Sequence, residues 1–347
     1  MNFYNSTHQH YCGIDLHARS LYVCIINPQG QTLLHKEIAA SPESLYQLIQ
    51  PYLDDIVIGV ECMHCWYWLA DFCEAHSIAF ILGHALYMRA IHGGKTKNDR
   101  IDSYKIAVLI RGGNFPLAYT YPKEMRATRD LLRRRSRIVR HGADLKAHVA
   151  NTTSQYNLPP NNVNLKNVCA RQQLRSTFPD PEVQRNIDLD MSILECYHQE
   201  LSKLEWHLEQ QAKQHRPVYF SLLRTIPGIG RILALTILYE IGDIQRFDSV
   251  QNFASYARLV KCKAESAGKT YGTQGNKIGN AHLKWAFSET AVLFLRGNPA
   301  AQKYLQSLQK RMSKAKALSV LAHKLGRAVY FMLKHETVFN EQTFLAG

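Results

Sequence analysis

No apolar run in this sequence reaches bilayer length, and its first fifteen residues lack both the basic start and the apolar stretch of a signal peptide. No membrane partner is expected, and residence in the cytosol follows. Cysteine forms no framework. The eight cysteines are scattered, several of them inside expected strands or helices, which suits reduced thiols and excludes a disulfide-stapled scaffold. Cys62-Met63-His64-Cys65 has redox or zinc spacing, but no second pair with matching spacing accompanies it. Negative charge is scarce too: 28 Asp and Glu stand against 42 Lys and Arg, for a net charge of +14 and a pI near 9.4. That excess calls for a polyanionic partner, because clustered Lys and Arg neutralise phosphates and release counterions. Nucleic acid is the obvious candidate. With 347 residues, 46% of them hydrophobic, the chain has core enough for two or three domains.

Between residues 11 and 82 the pattern reads strand 11–15, strand 21–26, strand 31–38, helix 43–53, strand 56–61, helix 65–76 and strand 78–82. Three strands joined by short turns such as Asn27-Pro28-Gln29-Gly30, followed by alternating strands and helices, is the order of a ribonuclease-H-like mixed sheet. Four carboxylates stand where such a sheet would gather them. Asp15 ends the run Tyr11-Cys12-Gly13-Ile14-Asp15 and Glu61 ends Ile56-Val57-Ile58-Gly59-Val60-Glu61, while Asp99 and Asp102 lie three apart at the start of a helical pattern. Phosphoryl transfer builds charge on phosphate oxygens, and hard divalent cations held by carboxylates stabilise it, so Mg²⁺ or Mn²⁺ is the implied ion. His17 beside Asp15 and His64 beside Glu61 read as outer or surface groups. Taken singly, each acid also fits a solvated strand end, and Asp99 a helix cap.

After Pro122 a long polar helix is expected over 123–156, with Leu131, Ile138, Leu145 and Val149 as a heptad-like seam. Leu158-Pro159-Pro160-Asn161-Asn162 breaks it. A second helix near 184–215 carries Leu194, Tyr197, Leu201, Leu204 and Leu208 at alternating three and four, so the two suggest a coiled-coil arm closing on itself or on another protomer. Over 123–150 there are nine Lys or Arg against three Asp or Glu, among them Arg133, Arg134, Arg135 and Arg137. A salt-bridge-laced face would mix signs more evenly, so this helix is expected to contact phosphates.

The third region is mostly helical from about 219 to 333. It opens on Leu222-Leu223-Arg224-Thr225-Ile226-Pro227-Gly228-Ile229-Gly230, a helix-hairpin-helix-like element in which Gly228 and Gly230 let backbone N–H groups approach a phosphate; a tight turn between packed helices would look the same. Over 303–334 there are eight Lys or Arg and no acid. His323, Arg327 and Tyr330 share a helix there, but their order and spacing suit a tyrosine recombinase poorly, and the apolar company of Tyr330 marks a core residue.

Lys97-Asn98-Asp99-Arg100-Ile101-Asp102-Ser103, Ile226-Pro227-Gly228-Ile229-Gly230 and Glu265-Ser266-Ala267-Gly268-Lys269, in that order, resemble the DEDD-type insertion-sequence transposases, relatives of the Piv DNA invertase and of bridge-RNA-guided recombinases. The resemblance covers nearly the whole chain. It implies a RuvC-like metal-binding catalytic domain over 1–122, a coiled-coil segment over 123–217 and a C-terminal transposase domain over 218–347. The family's acidic tetrad falls on Asp15, Glu61, Asp99 and Asp102, and its nucleophilic serine on Ser266, where an alanine intervenes before the usual glycine. Lys277-Ile278-Gly279-Asn280 and Leu283-Lys284 match a further family stretch, with lysine where arginine is common.

A serine attacks a phosphodiester only if its proton is removed and the developing charge is stabilised. Lys261, Lys263 and Lys269, with Lys277 and Lys284, are placed to hold phosphate. The expectation is therefore a site-specific DNA recombinase of a mobile element, forming a phosphoserine link with donor and target DNA in the bacterial cytosol or nucleoid. The resemblance adds a structured noncoding guide RNA as partner and a homo-oligomer, dimer or tetramer, on synapsed DNA. Two rivals stand beside it: a RuvC-like junction endonuclease in which metals activate water, and a noncatalytic nucleic-acid-binding protein on the same fold.

Overall fold

A computed structural model describes residues 2–91, 98–159, 167–274 and 278–346. The chain forms two compact units, 1–123 and 124–347.

In the first unit the elements run β1 (Phe3–Tyr4), β2 (His10–Leu16), β3 (Ser20–Ile26), β4 (Thr32–Ala39), α1 (Pro42–Ile49), β5 (Ile56–Glu61), α2 (Tyr67–Ala75), β6 (Ala79–Gly83), α3 (Ala85–Ile91), α4 (Asp99–Arg111) and β7 (Phe115–Pro116). Five strands form one mixed sheet in the order β4-β3-β2-β5-β6; β2 is antiparallel to β3 and parallel to β5. The tight turns expected from the sequence make the antiparallel part. Gly30 takes φ +85° and donates its N–H to the Asn27 carbonyl, which closes the β3–β4 connection. Period-2 alternation gives the sheet two buried faces. Ile14, Leu16, Leu21, Val23, Ile58 and Val60 pack on one side with α1 and α2 residues, while Tyr11, Cys24, Val57 and Ile81 pack on the other with Ile106, Ala107 and Ile110 of α4. The architecture is a mixed α/β sheet unit.

The second unit comprises α5 (Lys123–Gln155), α6 (Val168–Ser176), α7 (Pro181–His215), α8 (Pro217–Leu223), α9 (Arg231–Ile241), α10 (Val250–Tyr256), the hairpin β8 (Cys262–Ser266) and β9 (Lys269–Gln274), then α11 (Ala281–Leu293), α12 (Pro299–Gln309), α13 (Lys314–His335) and α14 (Glu341–Ala346). The long helices α5 and α7 run antiparallel within this one chain. Arg135 meets Glu205, Gly142 faces Leu194 and Tyr197, and His148 meets Asp190, so residue numbers across the seam sum to a near constant. The outer end of this pair has its own small core of Val149, Leu174, Phe178, Ile187, Met191 and Leu194. The inner end joins the main helical core, where Met125 and Leu132 sit with Leu208, Ala212, Leu223 and Leu238. The seam differs from expectation at its start: Leu131 is 37% exposed, and Leu132 is buried in its place. Near Leu132 the helix packs into the main core, which joins residues of α8 and α9 to those of α7, and the buried stripe shifts by one residue. Helix α6, inside the connection between the two long helices, was not read from the sequence.

No helix among the described residues is long and apolar enough to cross a membrane.

Candidate metal centre

Two glycines set the stage. Gly13 of β2 and Gly59 of β5 are register partners in adjacent parallel strands, and α4 lies directly over them. A Cβ added at Gly13 would stand 2.2 Å from the Ser103 carbonyl oxygen and 2.4 Å from the Ala107 nitrogen; at Gly59 it would stand 2.5 Å from Ile110 Cδ1. At Gly13, where the neighbours are backbone atoms of α4, only glycine permits this approach. The start of α4 is fixed by Asn98, whose side chain accepts from the Arg100 N–H at 2.9 Å. Its first turn carries Asp99 and Asp102, a placement the helix dipole favours. From β4, His35 Nε2 lies 2.9 Å from the Arg100 carbonyl and 3.2 Å from Ser103 Oγ, a second tie on that turn.

Strand alternation puts Gly13 and Asp15 on the α4 side of the sheet and turns Leu16 into the opposite core, and His17, just past the strand end, reaches the same side. His17 sits between two carboxylates, its Nε2 3.4 Å from Asp15 Oδ2 and 3.5 Å from Asp99 Oδ2. One ligand atom from each of Asp15, His17 and Asp99 falls within 4.8 Å of the others. Burial pushes the Asp15 carboxyl above the ordinary range; Asp99 and Asp102 push it further, and His17 opposes them. Carboxylates crowded in this way favour a bound cation, which would lower that value by direct attraction. Asp102 lies outside the three-residue cluster and meets Lys105 at 3.4 Å. Glu61 ends β5, one residue beyond the Ile14–Val60 register pair, which places it level with Asp15 on the neighbouring strand. It too lies outside the cluster.

The donor set fits a divalent cation. Six-coordinate Mg²⁺ or Mn²⁺ sets neighbouring donors about 3 Å apart and opposite donors about 4 Å apart. The spread observed here needs only small side-chain adjustments to match.

In the second unit the arginine run of α5 divides by helix face. Arg133 and Arg129 both reach Glu240, whose side chain is 1% exposed, at 2.7 and 3.0 Å. Asn280 Nδ2 donates to the same carboxylate at 2.7 Å. Burial pushes Glu240 up, but the Arg133 bond, the charges of both arginines and the Asn280 bond outweigh it and hold the group at about 2. Arg135 meets Glu205, which also takes Arg231. Arg134 and Arg137 are exposed.

At the entry to α9, Gly228 takes φ +85°, and an added Cβ would stand 2.6 Å from the Phe294 nitrogen. This glycine serves the packing of the turn. Gly230 caps α9 without a side-chain bond, and a Cβ added there would meet nothing within 4 Å, so this end of α9 lies open. A pocket of about 490 Å³ lies there, lined by Gly230, Arg224, Arg231, Glu209 and Leu293.

Ser266 is the last residue of β8 and pairs with Lys269 across the turn Ala267-Gly268, both at positive φ, a hairpin turn of the kind that matches strand twist. Lys263 lies in β8; Lys261, Lys269 and Lys284 are exposed; Lys277 lies outside the described residues. The chain returns from this hairpin through Gly279, at φ +95° and close against the Tyr256 carbonyl, to Asn280. Asn280 Oδ1 caps α11 while its Nδ2 holds Glu240. Gly279 and Asn280 therefore anchor the start of α11 to α9. Tyr330 is buried and donates to the Phe247 carbonyl, in keeping with a core role.

Sequence reasoning underweighted His17 and missed His35, Glu240 and Asn280 as organising residues. The period-2 spacing of Gly13, Asp15 and His17 was the available signal for the first; the others depend on partners dozens of residues away.

Two family profiles match the chain: DEDD_Tnp_IS110, described as Transposase, over residues 12–158, and Transposase IS116/IS110/IS902 family over residues 220–306. The chain is similar to a probable family 20 transposase of Pseudomonas aeruginosa, 23% identical over 94% of this chain and 97% of the relative. It is also similar to the pilin gene-inverting protein of Moraxella bovis, 31% identical over 35% of this chain, and to an insertion element IS110 uncharacterized protein of Streptomyces coelicolor, 28% identical over 45%. Those two alignments span 39% and 38% of the relatives' own lengths.

Proposed function

Because the chain belongs to the DEDD-type insertion-sequence transposases, we propose that it is a site-specific DNA recombinase of a mobile element, acting through a covalent phosphoserine intermediate. The observation that carries this reading is the meeting of Asp15, His17 and Asp99 within 4.8 Å at the end of β2, beneath the start of α4. In this reading the sheet order β4-β3-β2-β5-β6 is a ribonuclease-H-like, RuvC-type platform, and Glu61 and Asp102 complete the acidic set around it. A bound Mg²⁺ or Mn²⁺ supplies charge stabilisation for the phosphate oxygens.

The rest is work for the chain's own groups. Ser266 Oγ loses its proton and bonds to phosphorus, and the departing sugar oxygen takes up a proton. The phosphoserine conserves the bond energy for rejoining to a second strand. Exposed Lys261, Lys269 and Lys284, with Lys263 and Lys277, hold the DNA backbone. Arg134 and Arg137, exposed on α5, and the open N–H groups beside Gly230 extend that contact. A structured noncoding guide RNA, pairing with donor and target DNA, selects sequence, and a homo-oligomer, dimer or tetramer, holds the synapsed DNA in the cytosol or nucleoid.

The test is a quenched reaction on labelled DNA carrying the element's ends. A protein–DNA adduct that disappears in Ser266→Ala and in Asp15→Asn is expected. Free cut ends from both wild type and Ser266→Ala would replace this reading with hydrolysis; an adduct undiminished in Asp15→Asn would remove the metal centre from the mechanism.

A further inference from the structure

We infer that His17 is itself a metal ligand, so that the centre presents a nitrogen donor beside its carboxylates and selects Mn²⁺ over Mg²⁺. This rests on the metal-centre reading above and goes beyond it, since the acidic tetrad alone would make an all-oxygen site. The placement of the ring is the first support. His17 follows Asp15 by two residues, one position past the end of β2, and its backbone N–H donates to the Ser20 carbonyl at 3.1 Å, which fixes the residue at the mouth of the β2–β3 turn. The second is reach: one nitrogen, Nε2, faces both Asp15 and Asp99 at 3.4 and 3.5 Å, so a cation held between these carboxylates has the imidazole within reach.

The third support is competition among the acids. Asp102 is engaged by Lys105, and Glu61 stands outside the cluster, so His17 is the group best placed to complete a three-donor set with Asp15 and Asp99. These three donors would hold the ion from one side, with Glu61 and Asp102 around them and room for phosphate oxygens and water. Mg²⁺ takes oxygen donors almost exclusively and dehydrates reluctantly, whereas Mn²⁺ lies further along the affinity order for imidazole.

The experiment is calorimetric titration of the full-length protein with MnCl2 and with MgCl2, joined to electron spin-echo modulation of the bound Mn²⁺, which detects a directly coordinated ¹⁴N. Wild type should bind Mn²⁺ at least about tenfold more tightly than Mg²⁺ and show nitrogen modulation. His17→Ala should lose about tenfold in Mn²⁺ affinity, change Mg²⁺ affinity by no more than about threefold, and lose the modulation. His17→Gln, which keeps bulk and polarity, serves if the alanine variant does not fold, as judged by its thermal melt.

Unchanged Mn²⁺ affinity and unchanged modulation in the His17 variant would overturn the inference. Asp15→Asn separates the two levels. If it abolishes Mn²⁺ binding while the His17 variant binds normally, only the histidine assignment fails; if it too binds normally, the metal centre itself is wrong.

Discussion

Asp15 in the first unit and Glu240 in the second are both carboxylates at the meeting of two elements, yet the groups around them act in opposite directions. Burial, Asp99 and Asp102 all hold Asp15 above its ordinary range, with a single imidazole against them. Glu240 is the more buried of the two, and two arginines and an amide bring it down to about 2. The first arrangement concentrates negative charge at an accessible strand end; the second cancels charge inside a helical core. A carboxylate crowded by its own kind is a place for a cation, whereas one matched by arginines ties elements together. The same division separates the arginines of α5: Arg133 and Arg135 serve the fold, and Arg134 and Arg137 face solvent.

The sharpest break of this comparison is at Glu240. Replacement by alanine removes the buried carboxylate that Arg129, Arg133 and Asn280 share, and the expected loss is about 3–5 kcal/mol of stability, read by chemical denaturation. Acid should reproduce much of that loss in the unaltered protein. The folded-state value of Glu240 lies below its unfolded value of 4.5, so its contribution is fully present above that value and disappears as pH falls toward about 2. Glu240→Gln should flatten this acid limb of the stability profile. An acid limb unchanged by the substitution would mean that the network does not anchor the unit.

Next in size is Gly13→Ala. Its Cβ would overlap the backbone of α4 at Ser103 and Ala107, and the helix must lift from the sheet. A cost of about 1–3 kcal/mol in thermal stability is expected, together with weaker divalent-ion binding, because Asp99 moves with α4 while Asp15 stays with β2. Gly30→Ala, in the β3–β4 turn beside Arg111 at the far end of α4, should lower stability through its positive φ yet leave ion binding intact. Equal loss of ion binding in both would show that the close approach at Gly13 is not what assembles the centre.

These contrasts also show why the two units differ in how openly the sequence speaks. In the first, period-2 strands and two-residue offsets confine each side chain to one face, so strand limits, the mixed α/β class and the positions of Asp15 and Glu61 at strand ends were legible from spacing alone. Asp99 and Asp102 were legible as one helical turn. What spacing could not supply was the reach of His17 to Asp99, which arises only once Gly13 admits α4. In the second unit the two long helices were legible, α6 was not, and the partners of none were. Arg133 and Glu240 are 107 residues apart, and a run of like charge gives no sign that alternate members turn inward to single acids elsewhere. Leu131 and Leu132 differ by one position, and the choice between them was made by the main helical core rather than by the heptad.

The exposed arginines test the outward half of that division. Arg134→Ala and Arg137→Ala should leave stability within about 0.5 kcal/mol, while each lowers the slope of log affinity for DNA or RNA against log salt by about 1. Arg133→Ala should instead lower stability and alter the slope less. If Arg133 and Arg134 prove equivalent in both measurements, the sorting by helix face has no energetic consequence.

The smallest expected effect is also the one most specific to the first unit. In chelator, Asp15→Asn removes one of the crowded charges near Asp99 and Asp102, so the metal-free protein should become more stable, by about 0.5–1 kcal/mol, while losing divalent-ion binding. Glu240→Gln removes a charge as well, and there stability must fall. Opposite signs for these two isosteric changes, measured by melting under the same ion-free conditions, follow from the opposite environments of the two carboxylates. A loss of stability in Asp15→Asn would mean that His17 already satisfies Asp15 as fully as the arginines satisfy Glu240, and the strand end would then be an ordinary ion pair rather than a seat for a cation.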